Sequence, residues 1–178
     1  MPLPRRKLAN RRVTIHPMRR LMLPLAIGLL AATAVPAQAA SSKYLSATIN
    51  ACDSAKSSVG LRASMPGNAT NQRMYMRFEV QFRKADFTWG PTGASTRWTR
   101  VGSARRRSIQ SGFDFAFAPP AAGSSYKLRG KVEFRWTAKR GKRRKVVRRE
   151  TRTTVGGIAG VEGGTPKGRS DAACIIQR

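Results

Sequence analysis

Two runs of cations are the residues whose types and spacing could most plainly do chemistry. One is Arg105, Arg106 and Arg107; the other is Lys139, Arg140, Lys142, Arg143, Arg144 and Lys145. Eight of the eleven residues from Lys139 to Arg149 are Lys or Arg. Crowded this closely, such side chains bind the oxygens of phosphate, sulfate or carboxylate, with Arg able to do so in bidentate fashion. Contacts of this kind weaken with salt and ignore sequence. The same runs would equally serve as solvated charge that keeps a protein in solution. The residue types alone leave both readings open.

Other reactive groups are scarce. The one histidine, His16, lies upstream of an apolar segment discussed below, so the chain from Ala40 onward has none. That removes the usual general base and the Ser–His and Cys–His arrangements. Glu79 and Glu133 fall in two stretches that read as neighbouring strands. Close carboxylates can do acid–base work, but Arg77, Arg129, Lys131 and Arg135 surround them. Cross-strand ion pairing is the plainer expectation. Asp53 and Asp171 each lie close to a cysteine, and two carboxylates are few for a Ca²⁺ site. Trp89, in a stretch that reads as a loop beside Gly90 and Pro91, either stacks on a sugar ring or caps the fold. The expectation is a non-enzyme with no cofactor and no metal; an unrecognised hydrolase is the remote alternative.

The elements that must position these groups begin after an export signal. Arg19 and Arg20 form a charged start, Leu21 to Val35 a short apolar run, and Ala37-Gln38-Ala39 a small-x-small cleavage site. The run is short for a membrane span, and no second apolar stretch follows. Residues 1–39 therefore read as a signal region, with Met18 a plausible true start. Arg11-Arg12 and Arg19-Arg20 raise a twin-arginine route without the rest of that motif. Seven of the 35 basic residues precede Ala40 and none of the eight acidic ones does. The exported part thus carries 28 cations against 8 anions, a net charge of +20. Such a charge favours polyanions: teichoic acid, acidic polysaccharide, anionic lipid or nucleic acid. Nineteen of the 28 are Arg, so a generally Arg-rich composition would produce the same bias. Cys52 and Cys174 both remain after cleavage, and in an exported chain the simplest reading is one disulfide near the ends of the domain.

The exported part alternates with a period of two. In Arg73 to Arg83, Met74, Met76, Phe78, Val80 and Phe82 share one face; Tyr75, Arg77, Glu79, Gln81 and Arg83 share the other. Tyr126, Leu128, Val132, Phe134 and Trp136 repeat the pattern. So do Ile109, Phe113, Phe115 and Phe117; Val59, Leu61, Ala63 and Met65; and, more weakly, Leu45, Ala47 and Ile49. Lys145 to Thr154 reads as a sixth strand and Trp98 to Val101 as a short seventh. Turn signals such as Pro66-Gly67-Asn68 and Gly90-Pro91-Thr92-Gly93 separate them. The fold class expected is all-β: a single antiparallel β-sandwich of about seven strands over residues 40–154, then a flexible Gly-rich tail, 155–178, tied back by Cys174.

The stretch Gly123-Ser-Ser-Tyr126-Lys-Leu-Arg-Gly-Lys-Val132 resembles the start of the sixth strand of an immunoglobulin-like or fibronectin type III sandwich, where a Tyr folds back on the preceding corner. Leu128 stands where antibody-type domains have their second Cys, so the likeness is to the fibronectin type. The chain also resembles small secreted Arg-rich proteins of high-GC bacteria, a likeness that implies no activity. In a sandwich of that order, Lys139 to Arg144 is a hairpin loop at the same end as Arg105–Arg107, beside Asn68 to Arg73. The function expected is a secreted, monomeric, non-catalytic binding or structural module at the cell envelope. Its basic end would contact an anionic polymer such as teichoic acid or acidic polysaccharide. The alternative is a cationic secreted effector on nucleic acid or anionic membranes. Nucleic acid is the lesser partner, because no helix-turn-helix, zinc-finger or RNA-recognition signature is present.

Overall fold

The structure, a computed structural model, describes residues 44–158, 164–165 and 167–178. The proposed signal region and His16 lie outside the described residues. Nine strands follow in order: β1 Ser46–Asp53, β2 Ser58–Pro66, β3 Arg73–Arg83, β4 Trp89–Ser95, β5 Thr99–Ser103, β6 Ser108–Ala116, β7 Ser125–Arg140, β8 Arg143–Thr153 and β9 Cys174–Gln177. A small sheet has the order β1-β2-β6. A large one has β4-β3-β7-β8, with β5 also on β3 and β9 also on β7. Every pairing between named strands is antiparallel.

Alternation places the core. Ala47 and Ile49 of β1, Val59, Leu61, Ala63 and Met65 of β2, and Met74, Met76, Phe78 and Val80 of β3 are all buried, as are Leu128, Val132, Phe134 and Trp136 of β7. The two sheets face each other across these side chains. At Gly130 a Cβ would press into the methyls of Leu61 and Thr154. Two in-phase side chains depart from the expectation. Phe82 and Phe113 are 37% and 49% exposed; Phe113 lies on β6, the edge strand of the small sheet, and Phe82 near the end of β3.

The central strands β3 and β7 pair with each other, and each is flanked along its other edge by two shorter strands in succession. β5 covers β3 from Arg73 to Met76 and β4 covers it from Glu79 to Arg83. Thr96 bridges the gap: its backbone N–H donates to the Phe78 carbonyl, and its hydroxyl accepts from the Phe78 N–H. Likewise β8 covers β7 from Lys131 to Arg140 and β9 covers it from Ser125 to Leu128. The hydroxyl of Thr154 accepts from Gly130 N–H and donates to the Ala172 carbonyl where the exchange occurs.

Three expectations are corrected. Gly90 to Gly93 is not a turn but part of β4, an edge strand that tolerates Pro91 because an edge leaves N–H groups without ladder partners. Lys139 to Arg144 is not a six-residue loop. Both strands run on to the pair Arg140↔Arg143, and only Gly141 and Lys142 turn. Gly141 alone of the two has positive φ, 58°, which suits a tight type II′ hairpin. The described parts of the tail are not a free coil. Val155 N–H donates to Ala47 O, Asp171 bridges to Ile49, and Thr165 bridges to Ala51, all along the outer edge of β1. Cys52 and Cys174 form the disulfide, joining β1 of one sheet to β9 of the other.

Candidate basic pole and outer sheet face

Three connections meet at one end of the domain: β2–β3 (67–72), β5–β6 (104–107) and the β7–β8 hairpin. Trp136 sets the base. Its buried indole N–H donates to the carbonyl of Pro66 at 3.1 Å, and the Arg148 guanidinium lies 4.6 Å over its ring. Gly67 N–H then donates to Arg107 O, Asn68 N–H to Ala104 O, and Ala104 N–H to Gln72 O, each at 2.9 Å. From the hairpin, Arg144 Nη2 donates to the carbonyl of Asn71 at 3.4 Å. The two cation runs, far apart in sequence, thus flank one loop.

Within this pole the nine cations differ. Ala104 is fully buried and seats its loop, leaving Arg105, Arg106 and Arg107 exposed. Arg107 stacks on Tyr44 at 4.9 Å. Arg144 is half-buried and spends a donor on Asn71. Lys139, Arg140, Lys142, Arg143 and Lys145 are exposed along the ribbon and its tip. Strand alternation puts Arg140, Arg143 and Lys145 on one face and Lys139 with Arg144 on the other. Among the described residues, none of the nine forms an ion pair.

The outer face of the large sheet is a second charged surface, organised by register. Arg77 stands opposite Glu133 and Glu79 opposite Lys131. The corresponding ion pairs are 3.7 and 3.4 Å long. The two glutamates therefore sit diagonally, each beside its own cation. Arg135 stacks on Trp98 at 4.3 Å and on Tyr75 at 5.1 Å, and Arg129 stacks on Trp89 at 4.4 Å. Trp89 begins β4 rather than lying in a loop, and one side of its ring faces a guanidinium. Burial pushes Arg129 below the usual guanidinium range. A cleft of about 250 Å³ opens beside Arg77, Trp98, Glu133, Arg135 and Arg149. Alternation along Tyr126 to Trp136 places Arg135 on this face, but only the strand register reveals that Arg149 lies across from it.

The remaining candidates are placed as follows. Asp53 pairs with Lys56 at 3.7 Å, and Asp171 pairs with Arg169. Among the described residues no three of His, Cys, Asp and Glu stand together. At the end opposite the basic pole, Phe82, Pro91, Phe117, Tyr126 and Leu128 line an apolar cleft of about 390 Å³ between the sheets.

Compared with known proteins, the chain matches no family model and no curated sequence.

Proposed function

We propose that this protein is a secreted, non-catalytic binding or structural module that holds an anionic polymer of the cell envelope at its basic pole. The observation that carries this reading is the docking of three connections at one end, which brings Arg105–Arg107 and the Lys139–Lys145 ribbon to either side of residues 67–72. Cations that lack carboxylate partners and sit on a rigid, hydrogen-bonded base keep their donors available to an outside anion. Teichoic acid and acidic polysaccharide are the favoured polymers; both present repeated oxyanions to a short row of cations. The disulfide fits an oxidising compartment and so supports export. The strand order, β1-β2-β6 facing β4-β3-β7-β8, supports likeness to a fibronectin type III sandwich.

The test is cosedimentation of the purified protein with cell envelopes across a salt series. A variant with Arg105–Arg107 and Lys139–Lys145 neutralised runs beside it. The expected result is binding that falls steeply with salt and is lost in the variant. Equal binding by both proteins, or none by either, would sink the reading. Competition by DNA stronger than by envelope polymer would favour the nucleic-acid effector instead.

A further inference from the structure

We infer that the outer face of the large sheet holds a separate seat, between Arg135 and Arg149, for one oxyanion of an acidic polymer. The inference rests on the basic pole as a polyanion contact and deepens it, adding a defined subsite along β8.

The strand register sets Arg135 of β7 directly opposite Arg149 of β8 on this face. Like charges facing each other across a ladder are unfavourable unless an anion sits between or beside them. The carboxylates lining the cleft have partners already. Glu133 is held by Arg77 at 3.7 Å, and Glu150, on the reverse face of β8, is held by Arg148 and Arg152. Arg149 is exposed and forms no ion pair among the described residues. With Arg77, Arg135 and Arg149 against Glu133, the cleft keeps an uncompensated positive charge among the described residues.

Arg135 is also pre-ordered. Its guanidinium lies over the rings of both Tyr75 and Trp98, which restricts its movement. Its Nε is buried and has no hydrogen-bond partner among the described residues. An Arg restricted by aromatic rings loses little freedom when it takes an oxyanion, which favours binding. The cleft of about 250 Å³ is walled by Trp98, and Thr151 lies at its β8 side. It admits a carboxylate or phosphate with part of an attached ring or polyol. From Arg149 the strand continues back to Lys145 and the pole, so a polymer seated in the cleft runs towards the first cluster.

The seat recognises an oxyanion, supplied either by a uronic acid carboxylate or by a polyol phosphate. The test therefore uses galacturonate and glycerol 3-phosphate as separate small probes at constant ionic strength. Long-chain polyphosphate serves as the polymer. The readout is the Trp98 indole N–H signal in ¹H–¹⁵N NMR spectra, assigned with Trp98→Phe. At least one small probe is expected to shift this signal, and the probe that does so identifies the source. Arg149→Ala is expected to weaken that binding about tenfold, as loss of a charge-assisted contact does. Lys127→Ala, which removes the same charge at the far end of β7, should change it by less than about twofold. The variant with a neutralised pole should lose polyphosphate but keep the Trp98 shift. Small-probe binding without any polymer binding would overturn the pole and leave the seat standing. A Trp98 signal that neither probe moves, or equal effects of the Arg149 and Lys127 changes, overturns the seat whatever the pole does.

Discussion

Gly67 packs its Cα against the carbonyl oxygen of Arg106 so closely that a Cβ there would overlap it. The β2–β3 and β5–β6 connections therefore meet backbone to backbone, and the seating of Arg105–Arg107 depends on a missing side chain. Gly67→Ala is expected to cost about 2–3 kcal/mol, the range for forced overpacking. Urea unfolding measures that loss. The same variant should weaken polyanion binding although no cation has been removed. A Gly67→Ala protein with unchanged unfolding midpoint would show that the two loops separate freely.

The bridge from Cys52 to Cys174 closes a loop of 122 positions. In the chain-entropy account, a loop of that length stabilises by about 4–5 kcal/mol. The double change Cys52→Ser, Cys174→Ser should lower the unfolding free energy by roughly that amount. It should also free β9 first, because β9 has four residues and pairs β7 only from Ser125 to Leu128. Hydrogen exchange at Ile175 and Ile176 would then speed up more than at Val132. Uniform acceleration throughout the sheets would contradict a local role for the bridge.

Arg129 over Trp89 links β7 to the edge strand β4 across β3. A double-mutant cycle with Arg129→Met and Trp89→Leu should return a coupling of about 0.5–1 kcal/mol, as for cation–π pairs near a surface. Arg129 remains charged at neutral pH despite the lowering by burial, so the coupling should not change between pH 6 and 8, on the order of the physiological range. A coupling indistinguishable from zero would mean that the ring and the guanidinium are only neighbours.

The β3–β4 turn has one titration signature. Hydrogen bonds from the Thr88 hydroxyl and then the Thr88 N–H hold the Asp86 carboxyl below its usual range. A carboxylate depressed in the folded state adds stability above its unfolded value, and that stability is lost as pH falls through the folded one. A ¹³C titration should therefore place Asp86 below an aspartate in an unfolded peptide. Thr88→Val should raise it partway, since the backbone donor remains. An Asp86 titration that ignores this substitution would remove the hydroxyl as the main cause.

Most of the architecture was legible where large apolar residues alternate. Met74 to Val80 and Leu128 to Trp136 need one face dry, and that requirement shows directly in the sequence. β4 was not legible, because Trp-Gly-Pro-Thr-Gly-Ala-Ser has the composition of a turn. Its strand form comes from pairing with β3, a tertiary cause. β9 is too short to carry a pattern. The hairpin tip is not legible for a related reason: both faces of Lys139 to Lys145 are solvated, so no alternation marks where the strands stop. The two cation runs were visible as residue types, and the bridge between them, Gly67 against the 104–107 loop, was not. The facing pair Arg135 and Arg149 depends on a register that a bulge at Trp136 and Thr137 helps to fix. A single strand read alone does not contain it.

The bridge also decides how the domain behaves under mechanical load. Tension applied to the chain on either side of it enters through β1, reaches Cys52, crosses the sulfur–sulfur bond and leaves through Cys174 and β9. Once the paired ends of β1 and β9 have yielded, the covalent path bypasses every residue between the two cysteines. Unlocked and drawn out, that length of chain would add about 400 Å. Locked, it adds none, and only the few residues of β1 before Cys52 and of β9 after Cys174 can peel. The domain is an inextensible link that can be pulled hard from its ends while the sheets, and the cations they carry, keep their places.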